Sequence, residues 1–254
     1  MASLQSLLDF ALDAAWRAGR ITLRYFQTGV AVERKGDNSP VTLADRESEQ
    51  YLRDAIQRHF PDHGIVGEEF GEQPSRTEFR WIIDPIDGTK SFISGVPLYG
   101  CLLALVERDR PIVGVAHFPA LDETVAASLG GGCYWNGRRA RVSTVSNLAD
   151  ATLLATEVSR TWEGRQEQWR RLNAATYVQR TWGDAYGYAL VASGRAELMF
   201  DPKMHIWDCA PFGVILPEAG GTFTDFKGNE SISAGESVAT NGALFDPVMA
   251  LLNE

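Results

Sequence analysis

Apolar residues near the start of the chain recur at helical spacing. Leu4, Leu7, Leu8, Ala11, Leu12, Ala15 and Ala18 or Gly19 fall on one stripe, which predicts an amphipathic helix over residues 4–26 facing a core. A short strand is expected at 30–35 and a turn at 36–40, where Gly, Asp, Asn, Ser and Pro follow one another. A second helix should start at Thr42 or Asp45 and run to about Phe60, before Pro61-Asp62-His63-Gly64 stops it. The pattern then changes period. Residues 65–69 read as a short strand ending on two acids, 71–80 as a polar loop, and Trp81-Ile82-Ile83 as the end of a buried strand. The apolar runs 98–107 and 112–118, split by Asp109-Arg110-Pro111, predict a hairpin, with a third strand at 123–129. This meander predicts an antiparallel sheet in the first half.

Beyond a soft sub-boundary near 140–150, strands (151–155, 177–180, 197–200, 222–226, 237–240) alternate with helices (163–173, 185–193, 208–219, 247–252). The last long helix carries Pro211, tolerable in a first turn, and Pro217, which should bend or shorten its end. The class is α/β (α+β), in one domain spanning 1–254.

Composition narrows the function. With 44% hydrophobic residues over 254 positions the chain can bury a large core, yet no apolar run reaches membrane-spanning length. The first residues lack a basic head and clean apolar block, so no signal peptide is read. Three cysteines without C-x-x-C spacing argue against a disulfide framework or thiolate zinc site and fit a cytoplasmic protein. A net charge of −9 speaks against nucleic-acid binding. It also means that a phosphorylated ligand would need bound cations to reverse the local field.

The candidate chemistry centres on Asp84-Pro85-Ile86-Asp87-Gly88-Thr89. Pro85 rules out a helix through Asp84, Gly88 permits a tight turn and close ligand approach, and Asp87 and Thr89 suit a helix start. Two carboxylates on such a loop can hold a divalent cation while the new helix offers N–H groups to an anion. Asp45, Glu68 and Asp208 are further acids at element ends, and hard oxygen ligands of this kind suit Mg²⁺ rather than zinc. Taken singly, Asp45 and Asp208 would more often be plain helix caps. No nucleophile–base pair stands out, because Pro61 breaks the face between His59 and His63.

Three motifs taken together resemble the inositol monophosphatase superfamily: Gly67-Glu68-Glu69; Trp81-Ile82-Ile83-Asp84-Pro85-Ile86-Asp87-Gly88-Thr89; and Trp207-Asp208 followed by Glu218-Ala219-Gly220-Gly221. Thr42-Leu43-Ala44-Asp45 is similar to an earlier element of the family. The resemblance implies a layered αβαβα fold and a Mg²⁺-dependent phosphomonoesterase, usually a homodimer, acting on a small phosphorylated metabolite by metal-activated water. It further implies that Glu68, Asp84 and the Ile86 carbonyl hold a first metal, and that Asp84, Asp87 and Asp208 hold a second. Asp45 would sit near a third or orient the water, giving roughly two to three ions. Gly88 and Thr89 would bind the phosphate through backbone N–H groups, and Thr89 with Glu68 or Asp45 would help activate the water.

Within the superfamily, residues 89–100 and Gly183-Asp184-Ala185-Tyr186-Gly187-Tyr188 are similar to the histidinol-phosphatase branch, which serves histidine biosynthesis. Histidinol phosphate carries an ammonium and an imidazole, so a carboxylate at Asp184 has something to pair with. Asp201 matches a leaving-group position of the family, and Arg180 is expected in the same pocket. Asp184 could instead cap its helix and Asp201 could be a turn residue. Met204-His205-Ile206-Trp207-Asp208 looks more like the inositol-type form, which keeps an inositol 1-phosphatase or broad polyol phosphatase as the alternative. A non-catalytic metal- or partner-binding relative is remote, because Glu68, Asp84, Asp87, Thr89 and Asp208 are all present.

Overall fold

The structure, a computed structural model, describes residues 3–158, 162 and 164–253. In chain order the first half contains α1 (Leu4–Thr22), β1 (Val32–Arg34), β2 (Pro40–Thr42), α2 (Leu43–His59), β3 (Gly64–Gly67), β4 (Gly71–Gln73), β5 (Phe79–Asp87), α3 (Thr89–Ile93), β6 (Gly100–Glu107), β7 (Arg110–Phe118), β8 (Glu123–Ser128), β9 (Gly132–Trp135) and β10 (Arg138–Arg139). The second half contains β11 (Thr152–Ala155), α4 (Gln166–Ala175), β12 (Val178–Arg180), α5 (Ala185–Ala192), β13 (Leu198–Asp201), α6 (Ile206–Cys209), α7 (Phe212–Ala219), β14 (Thr222–Thr224), β15 (Ser237–Thr240) and α8 (Phe245–Asn253).

Eight strands form one sheet in the order β10-β9-β8-β7-β6-β5-β3-β4, antiparallel except for β3 beside β5. Five form a mixed sheet in the order β12-β11-β13-β15-β14. The packing follows the two-residue period of the strands. On β5 and β6, Trp81, Ile83, Cys101, Leu103 and Leu105 pack with α1 and α2, while Ile82, Leu102, Ala104 and Val106 face α5 and α7. In the small sheet Met199 and Ala239 join that central core, whereas Leu198, Phe200 and Val238 pack with Leu172 of α4 and Val248 and Leu252 of α8. Both faces of both sheets are therefore covered, which is why these strands read as continuous apolar runs. The layers are helix, sheet, helix, sheet, helix.

Three expectations are corrected. Residues 71–80 are not simply a polar loop: Gly71–Gln73 pairs with β3 as an edge strand, and β5 begins at Phe79. The strand at Trp81 does not end at Ile83 but runs to Asp87 through a bulge. The helix expected over 208–219 is broken at Pro211, giving α6 and α7, with Pro217 kept inside α7. The expected start of the fourth helix at Glu163 lies outside the described residues; the described helix begins at Gln166.

The bulge matters for function. Asp84 pairs with Leu102 and Asp87 with Gly100, so β5 carries one residue more than β6 between these points. In a regular strand residues three apart point to opposite faces; the extra residue lets both aspartates reach one site.

Candidate active site

Ligand oxygens of Asp84, Asp87 and Asp208 lie within 4.8 Å of one another, at the junction of the β5 bulge and α6. Asp84 is buried, and its Oδ1 accepts the Ile86 N–H at 3.0 Å, which ties the bulge together. Glu68, Asp87 and Asp208 crowd its carboxyl with like charge. Asp87 accepts the Ala185 N–H at the start of α5. Asp208 does not cap α7. It occupies the third position of α6, where its Oδ2 accepts the His205 N–H at 2.7 Å.

Asp45 is placed the same way. Thr42 is the N-cap of α2, and Asp45 returns Oδ2 to the Thr42 N–H at 2.7 Å and hydroxyl at 2.6 Å. Its Oδ1 faces the site, 3.4 Å from the Thr89 hydroxyl. Thr89 Oγ1 also donates to the Ile86 carbonyl at 3.0 Å. For Asp45 and Asp208 the capping role and the site role are thus compatible, since one oxygen caps and leaves the other free.

The electrostatics are those of negative charge held out of water. Burial, then repulsion from Glu68, Asp87 and Asp208, pushes the Asp84 carboxyl well above its ordinary pKa. Burial, then Asp184 and Asp208, does the same to Asp87. Asp208 and Asp45 are each raised to about 6, chiefly by burial. At the rim, the Lys35 ammonium bridges Glu68 Oε1 at 2.7 Å and Glu69 Oε1 at 2.6 Å. Burial opposes that charge, but the two carboxylates hold the Lys35 pKa above its usual value. A donor set made of carboxylate oxygens that repel one another is a fit for a small hard divalent cation.

Beside this cluster lies a cavity of about 210 Å³ lined by Glu68, Asp84, Asp87, Gly88, Thr89 and Asp208 among others. It adjoins a larger one of about 800 Å³, which extends past Asp184 to Asp201, Lys203 and Arg34. Gly88, at φ +80°, turns the chain from β5 into α3; a Cβ there would lie 2.9 Å from Asp184 Oδ2.

Asp184 stands at the N-cap position of α5 but makes no capping hydrogen bond. Its φ of 50° and ψ of −156° fall in a region that side chains rarely adopt, and its side chain turns toward Ser91 and Lys90. Burial raises its pKa, against the opposing pull of Lys90. Thr156 holds this conformation by accepting the Asp184 N–H at 2.8 Å. Asp201 is not a turn residue. It ends β13, buried, accepting from Thr156 N (3.0 Å), Thr156 Oγ1 (3.0 Å) and Tyr188 Oη (2.9 Å). Burial raises it to about 7.

Arg180 does not join them. It is exposed on β12, at the edge of the small sheet, donates to the Gln179 carbonyl and sits 5.9 Å from the Trp182 ring; it lines neither cavity. The structure adds Lys35, Lys90 and Thr156. Lys35 could have been suspected from its place beside the turn at 36–40, but nothing in the sequence around Thr156 singles it out.

A model of the inositol monophosphatase family matches residues 3–253. The chain belongs to the inositol monophosphatase family. It is 44% identical over 242 residues to a histidinol-phosphatase of Chlorobaculum parvum, covering 93% of each chain. Another relative, a histidinol-phosphatase of Mycobacterium tuberculosis, is 38% identical over 254 residues, covering 97% of each. The extragenic suppressor protein suhB from Bartonella henselae superposes with a TM-score of 0.92 at 28% identity, over 98% of this chain and 99% of that one. The αβαβα layering is therefore the family's fold, and the acidic cluster lies in a chain of a metal-dependent phosphatase family.

Proposed function

We propose that the chain is a Mg²⁺-dependent phosphomonoesterase that hydrolyses L-histidinol phosphate to L-histidinol and phosphate. The observation that carries the reading is the Asp84–Asp87–Asp208 cluster beside Gly88 and Thr89, with the Asp184 carboxyl on the wall of the adjoining cavity. Glu68, Asp84 and the Ile86 carbonyl are assigned to one ion, Asp84, Asp87 and Asp208 to another, with Asp45 near a third, so roughly two to three Mg²⁺ in all. When bound, Mg²⁺ supplies the positive charge that offsets the carboxylates, draws in the phosphoryl oxygens and acidifies a water.

The chain's own groups do the rest. The backbone amides of Gly88, the N-cap of α3, and of Thr89, its first residue, orient the phosphate. The Thr89 hydroxyl, held between the Ile86 carbonyl and Asp45, orients the attacking water, and Asp45 or Glu68 takes its proton. Asp184 pairs with the substrate ammonium, and Asp201, fixed by Thr156 and Tyr188, borders the leaving group. Phosphate release from L-histidinol phosphate, inositol 1-phosphate and phosphoadenosine phosphate tests the reading. Histidinol phosphate should have the highest kcat/KM, by about tenfold or more, and chelation of Mg²⁺ should abolish turnover. A higher value for inositol 1-phosphate would replace the substrate assignment with the polyol reading.

We further propose a cytoplasmic homodimer. Three buried free cysteines support a reducing compartment; recovery of the chain with oxidised cysteines from an extracytoplasmic fraction would refute it. Exposed Tyr177 and Trp182 flanking the β12 edge support self-association. Sedimentation should give twice the 28.0 kDa chain mass; a monomer at micromolar concentration would refute the dimer.

A further inference from the structure

We infer that Glu49, paired with Arg53, is a positioning residue that holds the turn at 67–71 and thereby aims Glu68 at the metal site; the inference rests on the role proposed above for Glu68. The two residues lie one helical turn apart on α2, where that helix passes the β3–β4 connection. Glu49 is fully buried. Its Oε2 accepts the Glu69 N–H at 2.7 Å, and its Oε1 accepts the Phe70 N–H at 3.2 Å and Arg53 Nε at 2.7 Å. Arg53 donates onward to the Gly71 carbonyl, and its guanidinium lies 5.8 Å from the Phe70 ring. A Cβ at Gly67 would collide with Glu49 Oε1, so the carboxylate reaches the turn only because that position is glycine.

Every backbone group thus gripped belongs to the three residues that follow Glu68. On its other side Glu68 is tied to the sheet by its N–H to the Ile83 carbonyl at 3.3 Å. A buried ion pair is a weak device for stability, since an apolar pair of the same volume commonly does as well. Its four contacts here are instead spent on fixing one tight turn. Within the proposed ligand set Glu68 is the member supplied by that turn, whereas Asp84 and Asp87 come from the bulge and Asp208 from α6. With the turn loose, the Glu68 side chain would keep Lys35 as its partner and lose its bearing on Asp84.

Two variants test this: Glu49→Asp, which keeps the charge beside Arg53 but withdraws it from the turn amides, and Arg53→Lys, which keeps the pair but gives up the Gly71 carbonyl. Calorimetric titration of Mg²⁺ into metal-depleted protein should show affinity falling about tenfold for Glu49→Asp and less for Arg53→Lys. Amide exchange of Glu69 and Phe70 should accelerate while exchange in α1 stays as in the parent. Unchanged Mg²⁺ affinity in both variants, or a fall in melting temperature with exchange faster throughout, would reduce Glu49 to a structural role. Glu68→Gln is the separate control. If it bound Mg²⁺ as tightly as the parent, the assignment of Glu68 as a ligand would fail, even with the exchange result intact.

Discussion

Asp87→Asn should abolish turnover and, in metal-depleted protein, raise the melting temperature. The first effect follows from ligand chemistry. Asparagine keeps the shape and can still accept the Ala185 N–H, so the start of α5 stays docked on the bulge. What it loses is the negative charge that, on the reading proposed above, would hold a cation against the phosphoryl group. If that charge accounts for about 4 kcal/mol of transition-state stabilisation, the loss is about 10³-fold in kcat. The second effect follows from the same charge seen without its counterion. Asp87 faces Asp184 and Asp208, and burial with their repulsion holds its carboxyl well above the ordinary range. Removing one member of a mutually repelling buried set relieves the others. Melting at pH 8 with and without Mg²⁺ reads both: the parent should gain stability on adding the ion and the variant little. Near-normal turnover would sink the assignment of Asp87 as a ligand. A lower melting point in metal-depleted variant would show that its carboxylate is a structural acceptor.

That pairing of function with strain explains what the sequence could and could not tell. The central strands of the two main sheets were legible because both their faces are covered, so a run such as 101–106 is apolar without interruption, whereas the exposed edge strand Gly71–Gln73 was not legible. The gathering of Asp84, Asp87 and Asp208 was legible because several acids at element ends beside a turn suited to an anion are not explained by any single capping role. The bulge was not: Pro85 correctly excluded a helix, but nothing local says that the strand resumes beyond it. Asp45 and Asp208 were recognised at helix starts, yet their place in the third helical position depends on Thr42 and His205 taking the cap. Arg180 was expected in the substrate pocket, but sheet order puts β12 at the edge of the small sheet, and Arg180 lines neither cavity. Long-range partners such as Thr156 with Asp184, or Glu49 with the turn at 67–71, join segments whose proximity only the fold creates.

On the reading proposed above Asp184 selects the substrate, and Asp184→Asn should separate charged from neutral substrates. Asparagine is the informative change, because it keeps the shape of the aspartate side chain beside Ser91 in a backbone conformation that side chains rarely adopt, and removes only the charge. Asp184 is free to serve the pocket: its side chain caps nothing, and its backbone is already held by Thr156. Lys90 is the cation it now faces, so a substrate ammonium entering the cavity would take up a position for which a charged partner already exists. A charge-assisted contact of this kind, in a site shielded from water, is worth about 2 kcal/mol, or roughly thirtyfold. We expect kcat/KM for L-histidinol phosphate to fall by about that factor in Asp184→Asn, while a neutral phosphomonoester such as glycerol 2-phosphate changes less than about threefold. The loss should appear in kcat as well as in KM, since the ammonium sits on the carbon next to the ester carbon, close to the oxygen that leaves. Equal losses on both substrates would mean that Asp184 acts through its neighbour Asp87 rather than through the ammonium. The strained turn at 183–185 would then be part of the metal site, not of substrate choice.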